Sequence, residues 1–171
     1  MQKIIKGIII TLMATVLYAC SKDEDDTMPP TENYVQAKIN GKLVQFKLNS
    51  SHQNNTNSIS VVGNTADINN SNENTHIQLA IISAKAIEPT TYELEKTSTM
   101  VITYGVIKKK ADGTMEQDNY VASTGSASAG DHFTVKVDKF AEGHVSGTFS
   151  GTVVGSSVVT ISEGKFSVPI D

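Results

Sequence analysis

The chain has 171 residues and a formal charge of −4. All 14 of its cations are lysine, so no arginine is present for bidentate grip on phosphate or carboxylate, and no tryptophan is present to form a flat stacking platform. The mildly acidic balance argues against nucleic acid as a partner, which needs a basic face, and a single cysteine rules out an internal disulfide.

The first 19 residues read as a targeting segment. Met1 to Lys6 carries two lysines, Gly7 to Leu17 is almost wholly apolar, and Leu17-Tyr18-Ala19-Cys20 closes the run. A basic start, an apolar stretch and a small residue at the junction have the layout of a signal peptide. The apolar stretch is about 11 residues long, short of the roughly 20 that a membrane span needs. The only cysteine of the chain stands at the junction. Together these residues resemble a bacterial lipoprotein signal with its lipobox, from which Tyr18 departs where a small or aliphatic residue is usual. The resemblance implies cleavage before Cys20, a diacylglyceryl group on its thiol and acylation of the new amine, so that membrane lipid is held through Cys20. One acyl chain gives only marginal binding, whereas two or three together are effectively permanent. The other reading is an ordinary secretory signal that ends in a chance cysteine.

Residues 20–33 read as a tether. Ser21-Lys22-Asp23-Glu24-Asp25-Asp26 ends in four consecutive acids, which repel one another and extend a linker. The run resembles the acidic export signal that follows the lipidated cysteine in surface-exposed lipoproteins of the Bacteroidota; a plain solvated linker has the same composition. Asp26-Thr27-Met28 resembles the short O-glycosylation motif of the same bacteria, which implies Thr27 as an acceptor. Pro29 and Pro30 favour extended backbone. Without residues 1–19 the charge is −6, and residues 34–171 alone carry −2.

From Tyr34 onward, alternation with a period of two dominates. Val35, Ala37 and Ile39 alternate with Gln36 and Lys38, and Asn40-Gly41 is a type I′ turn signal, because both central positions need positive φ. Val44, Phe46 and Leu48 share one face of the returning strand. The segment 49–74 holds nine asparagines; it reads as loops flanking a strand at Ser58–Gly63. Thr75–Ser83 is the next strand, and Glu88-Pro89-Thr90-Thr91 a turn. Tyr92 and Leu94 enter a short strand that places Glu93 and Glu95 on its opposite face. Met100–Lys108 is rich in β-branched residues, Lys108-Lys109-Lys110-Ala111-Asp112-Gly113 reads as a charged hairpin tip, and Asn119–Ser123 pairs back. After a small-residue loop at 125–130, Phe133, Val135 and Val137 form one face of a strand. Val145, Gly147, Phe149, Gly151 and Val153 form another, its glycines marking bends or close backbone approach. Val159 and Ile161, then Phe166, Val168 and Ile170, close the chain.

The prediction is an all-β, antiparallel domain at 34–171, a β-sandwich or flattened barrel of about nine to ten strands, since the connections are too short for helical crossovers. The hairpin at Ala37-Lys38-Ile39-Asn40-Gly41-Lys42, the Pro89-Thr90-Thr91-Tyr92-Glu93-Leu94 turn, the strand Val145-Ser146-Gly147-Thr148-Phe149-Ser150-Gly151 and Ile161-Ser162-Glu163-Gly164-Lys165-Phe166 recur in this order in a known set. By these motifs the whole chain is similar to small, uncharacterised all-β lipoproteins of the Bacteroidota. The shared motifs are structural and imply no catalytic residue.

Chemistry is sparse. The four histidines, His52, His76, His132 and His144, lack metal-ligand spacing on a common element and have no cysteines to complete a zinc site. The last three fall on the polar side of the alternation and read as surface residues. Asp67-Ile68-Asn69-Asn70-Ser71-Asn72-Glu73 offers alternate oxygens, but Asn72 replaces the turn glycine of a calcium loop and Gln78 its distal glutamate. Ser150 falls in a strand, not on the sharp turn a nucleophile needs. Glu93 and Glu95, about 7 Å apart on one strand face, match the spacing of glycosidase carboxylates, which normally face each other across a cleft. The lysine triplet at 108–110 reads as a charged tip that blocks edge pairing. No cofactor is called for.

The expectation is therefore a lipid-anchored protein of the outer membrane, facing the cell exterior. It would be a non-enzymatic module binding a glycan or an envelope protein through loops or one sheet face, with the asparagine-rich 49–74 segment as the first candidate surface. The alternative is a structural or assembly subunit of an envelope complex, for which a large exposed apolar patch would speak. A hydrolase is the remaining and weakest reading.

Overall fold

A computed structural model describes residues 33–52, 57–66, 71–97, 99–141 and 143–169. The signal segment, Cys20, the acidic run 21–26 and Thr27 lie outside the described residues.

Alternating side chains dictate strands throughout, and no helix occurs among the described residues. Ten strands follow in chain order: β1 (Tyr34–Ile39), β2 (Lys42–His52), β3 (Ser58–Asn64), β4 (Glu73–Ile82), β5 (Thr91–Glu93), β6 (Thr99–Lys109), β7 (Met115–Ser123), β8 (His132–Ala141), β9 (His144–Val154) and β10 (Val158–Pro169). They form one antiparallel sheet in the order β5-β8-β9-β10-β1-β2-β3-β4-β6-β7, curled into a half-barrel around its core. The predicted strand count and antiparallel order hold.

The predicted β1–β2 hairpin is present, with Asn40 at φ 49° and Gly41 at φ 82°, as a type I′ turn requires. Asn40 also ties the turn to β10: its amide N donates to Thr160 O and its Oδ1 accepts from Thr160 N. β2 is the strand on which the sheet changes direction. Its first half, to Phe46, pairs with β1; from Lys47 to His52 it pairs with β3, across a register shift between Leu48 and Ser50. The start of the segment expected to be loop, residues 49–52, is thus strand, held by backbone pairing where the side-chain pattern is polar.

The core lies on the concave side. Phe133, Phe149 and Phe166, from β8, β9 and β10, are buried in sequence across three adjacent strands, with successive ring centroids 6.3 Å apart. Each such ring contributes about 1.5–3 kcal/mol by leaving water. The other half supplies Ile77, Met100 and Ile102, along with Tyr104 and Tyr120, whose centroids are 6.0 Å apart. Burial pushes the Tyr104 hydroxyl's pKa up, and the neighbouring Tyr120 adds to the shift.

β10 carries an extra residue. Three steps on β10, Ile161 to Gly164, oppose two on β9, and the same slip recurs against β1. Glu163, at φ 51°, stands in this bulge. The bulge moves the inward face from odd positions (Val159, Ile161) to even ones (Phe166, Val168). The glycines of β9 serve close approach: a Cβ on Gly147 would sit 2.1 Å from the Lys136 carbonyl oxygen and 2.8 Å from the Phe166 ring.

Candidate functional site

The convex side of the sheet differs between its halves. Over β1, β8 and β10 it carries Lys38, Lys136 and Lys165 among serines and threonines. Over β3, β4, β6 and β7 three successive aligned rows carry no charge, and the nearest lysine of these strands on that face, Lys109, stands beyond them opposite Met115. One row runs Asn64, His76, Gly105, Asn119. The next runs Val62, Gln78, Thr103, Val121, and a third Ser60, Ala80, Val101, Ser123. These are the alternate positions to the buried Val61, Ile77, Leu79, Ile102 and Tyr120, so the strand period places them opposite the core.

His76 is the centre of this face. A Cβ on Gly105 would meet His76 Cε1 at 2.2 Å and Asn119 Oδ1 at 2.5 Å. The missing side chain therefore lets the imidazole and the amide lie down over the strand. Gln117 Nε2 donates to Asn119 Oδ1 at 3.0 Å and fixes that amide. His76 is half-buried, and burial holds its pKa below the ordinary histidine value. It is neutral at neutral pH and offers one donor and one acceptor. The sequence pattern marks it only as a surface histidine; the glycine directly opposite it on β6 is what lets it lie half-buried.

The row continues onto β2, where Lys47 pairs with Asn64. There it meets a groove of about 280 Å³ at the corner where β2 crosses between the halves. Tyr34, Gln36, Gln45, Phe46, Lys47 and Thr65 line it.

The sequence candidates distribute differently. In the asparagine-rich segment, residues 53–56 and 67–70 lie outside the described residues. Of the rest, Asn57 donates to Ser83 O at 3.2 Å, and Asn74 Oδ1 accepts from Ala66 N at 3.2 Å. Those two amides hold loops in place. Ser71, in the calcium-like run, bonds the backbone of Glu73. Glu93 and Glu95 do not share a strand face: β5 ends at Glu93 and a turn follows, closed by Thr97 N to Glu93 O at 2.9 Å. Glu93 pairs with Lys96 at 2.7 Å, while Glu95 Oε1 lies 3.1 Å from His132 Nδ1. The hydrogen bond from His132 holds the Glu95 carboxyl below the usual range. Beside this exposed pair, Thr152 spends its hydroxyl on Gly130 O at 2.7 Å, and Ser150 is exposed in mid-strand opposite Thr134. Lys108 and Lys109 end β6 and only Lys110 enters the tip. Among the described residues no three His, Cys, Asp or Glu side chains group to hold a metal ion.

Comparison with family models, curated proteins and solved structures found no match. What the convex face of β3, β4, β6 and β7 offers is a surface of amides, hydroxyls and one imidazole, without charge on three successive rows.

Proposed function

We propose that this chain is a non-enzymatic binding module, carried on a lipid-anchored tether at the outer membrane and facing the cell exterior. Its binding surface is the convex face of β3, β4, β6 and β7, and its ligand is uncharged there. The absence of charge on three successive rows of that face, in a domain that places lysines on its other convex half, carries the reading. Surface charge normally keeps sheets soluble and unpartnered; a face without it is suited to contact. The anchor is argued from Cys20 and the residues before it. β1 begins at Tyr34, paired with Ser167 near the last strand's end, so a tether would reach the domain at that end of the sheet.

The test has two arms. Cys20→Ala is expected to release the protein or leave the leader uncut, and mass spectrometry of the native product is expected to find acyl chains on Cys20. Thr103→Lys and Val121→Glu place charges on the face without touching the core; each is expected to abolish binding found by glycan arrays or by pull-downs from outer membrane.

A second reading is an assembly subunit of an envelope complex. It is favoured by three exposed apolar side chains on the same convex half, Ile82, Met115 and Val121, at 48%, 53% and 48% exposure. Cross-linking in intact cells separates the two, since a subunit gives one constant protein adduct through this face.

A further inference from the structure

The Lys47, Asn64, His76, Gly105, Asn119 row and the corner groove are continuous, and the row crosses five adjacent strands. At the usual strand separation this is a tract of roughly 19 Å. We propose that it binds an elongated, uncharged oligosaccharide that lies across the strands with one end in the groove. This rests on the reading of the uncharged face as the binding surface, and adds the ligand's class, length and direction.

Three features select this class. First, the row presents amides and a neutral imidazole, each able to donate and accept. Sugar hydroxyls do the same, whereas an apolar partner would strand these groups without bonds at a cost. Second, the groove holds Gln36, only 7% exposed. Among the described residues no hydrogen bond is made to its side-chain amide, while every deeply buried side-chain polar atom has a partner. The amide therefore opens into the groove, which Tyr34 also lines. An aromatic ring with amides around it suits a sugar, which has an apolar C–H face and a polar rim. Third, Gly105 keeps His76 and Asn119 low on the sheet, so a rigid chain of rings can cross without a side chain blocking it. Anionic polymers are disfavoured by the single cation, Lys47, in the tract. An extended peptide would seek an open strand edge, not a face.

Calorimetry of the full chain tests this, with neutral glucan, mannan and xylan oligosaccharides graded from disaccharide to hexasaccharide, and a sulfated oligosaccharide as control. One neutral series is expected to bind, with affinity rising with length beyond the disaccharide and then levelling as the tract fills. Gln36→Ala and Asn119→Ala, at opposite ends, are each expected to weaken the longest ligand about three- to tenfold, the worth of one hydrogen bond. Only Gln36→Ala is expected to weaken the shortest ligand. No binding of any neutral series at millimolar concentration overturns the inference, as does binding that stops growing at the disaccharide or ignores both variants. Should the oligosaccharides fail while Val121→Glu still abolishes capture of a defined envelope protein, the sugar is wrong and the face is right. Should Val121→Glu and Thr103→Lys leave both kinds of binding intact, the face itself is wrong.

Discussion

Thr124 Oγ1 donates a 2.9 Å hydrogen bond to the Leu94 carbonyl, and so fastens the end of β7 to the end of β5, the two edge strands of the curled sheet. The same oxygen accepts from Met100 N at 3.0 Å. One hydroxyl thus joins three segments at the seam. Thr124→Val keeps the shape and removes both bonds, leaving a backbone donor and an acceptor unpaired in a part-buried site. The expected cost is about 2 kcal/mol, read as a lower denaturant midpoint with unchanged slope. A change below about 0.5 kcal/mol would show that the seam is held by packing alone.

Glycines on the two sides of the sheet are expected to respond oppositely. Gly147→Ala drives a methyl into the Lys136 backbone oxygen and the Phe166 ring. Backbone cannot step aside, so the expected loss is about 3 kcal/mol, the upper range for overpacking. Gly105→Ala meets only the outer ends of His76 and Asn119, which can rotate into solvent. Its expected cost is below about 1.5 kcal/mol. Thermal unfolding of the pair checks this ordering.

Much of this fold is legible in the residues. The Asn40-Gly41 turn is readable because only a type I′ geometry uses both, and the change from Val159 and Ile161 to Phe166 and Val168 records a bulge in β10 as a slip of phase. Residues 49–52 are not legible as strand, because backbone pairing with β3 holds them and their polar letters show no alternation. Glu95 is misread for the opposite reason: Tyr92 and Leu94 alternate like a strand, yet the chain turns after Glu93. The candidate site is least legible of all. Lys47, Asn64, His76, Gly105 and Asn119 are distant in sequence, and only the register of five strands aligns them. The available signal was negative, a run of outward strand positions without charge.

The bulge on β10 is expected to tolerate glycine. Glu163 is non-glycine at φ 51° and forms a 2.7 Å ion pair with Lys38 between exposed side chains. Glu163→Gly relieves a left-handed conformation worth about 1–2 kcal/mol. It also adds unfolded-state entropy of about 0.5–1 kcal/mol and gives up an exposed pair worth at most about 1 kcal/mol. These nearly cancel, so stability is expected to stay within about 0.5 kcal/mol of the parent. Lys38→Ala separates the contributions, since it removes the pair and keeps the backbone; its expected loss vanishes at high salt.

His76 is expected to make stability depend on pH. Burial lowers its pKa in the folded chain, while the unfolded chain keeps the ordinary value of about 6.5. Near and below that value the unfolded state binds the proton more readily. The stabilising contribution is therefore present above pH about 6.5, is lost as pH falls through the folded pKa, and changes no further below it. Glu95, also lowered, acts in the acid range beneath the ordinary carboxylate value, so the two windows are distinct. His76→Gln is expected to remove the slope near pH 6 and to leave the acid limb. Gly105→Ala supplies the sharper check: by pushing the imidazole outward it is expected to raise the His76 titration midpoint, followed by NMR of the ring proton. A midpoint unmoved by that methyl would mean that the glycine is not what buries the ring.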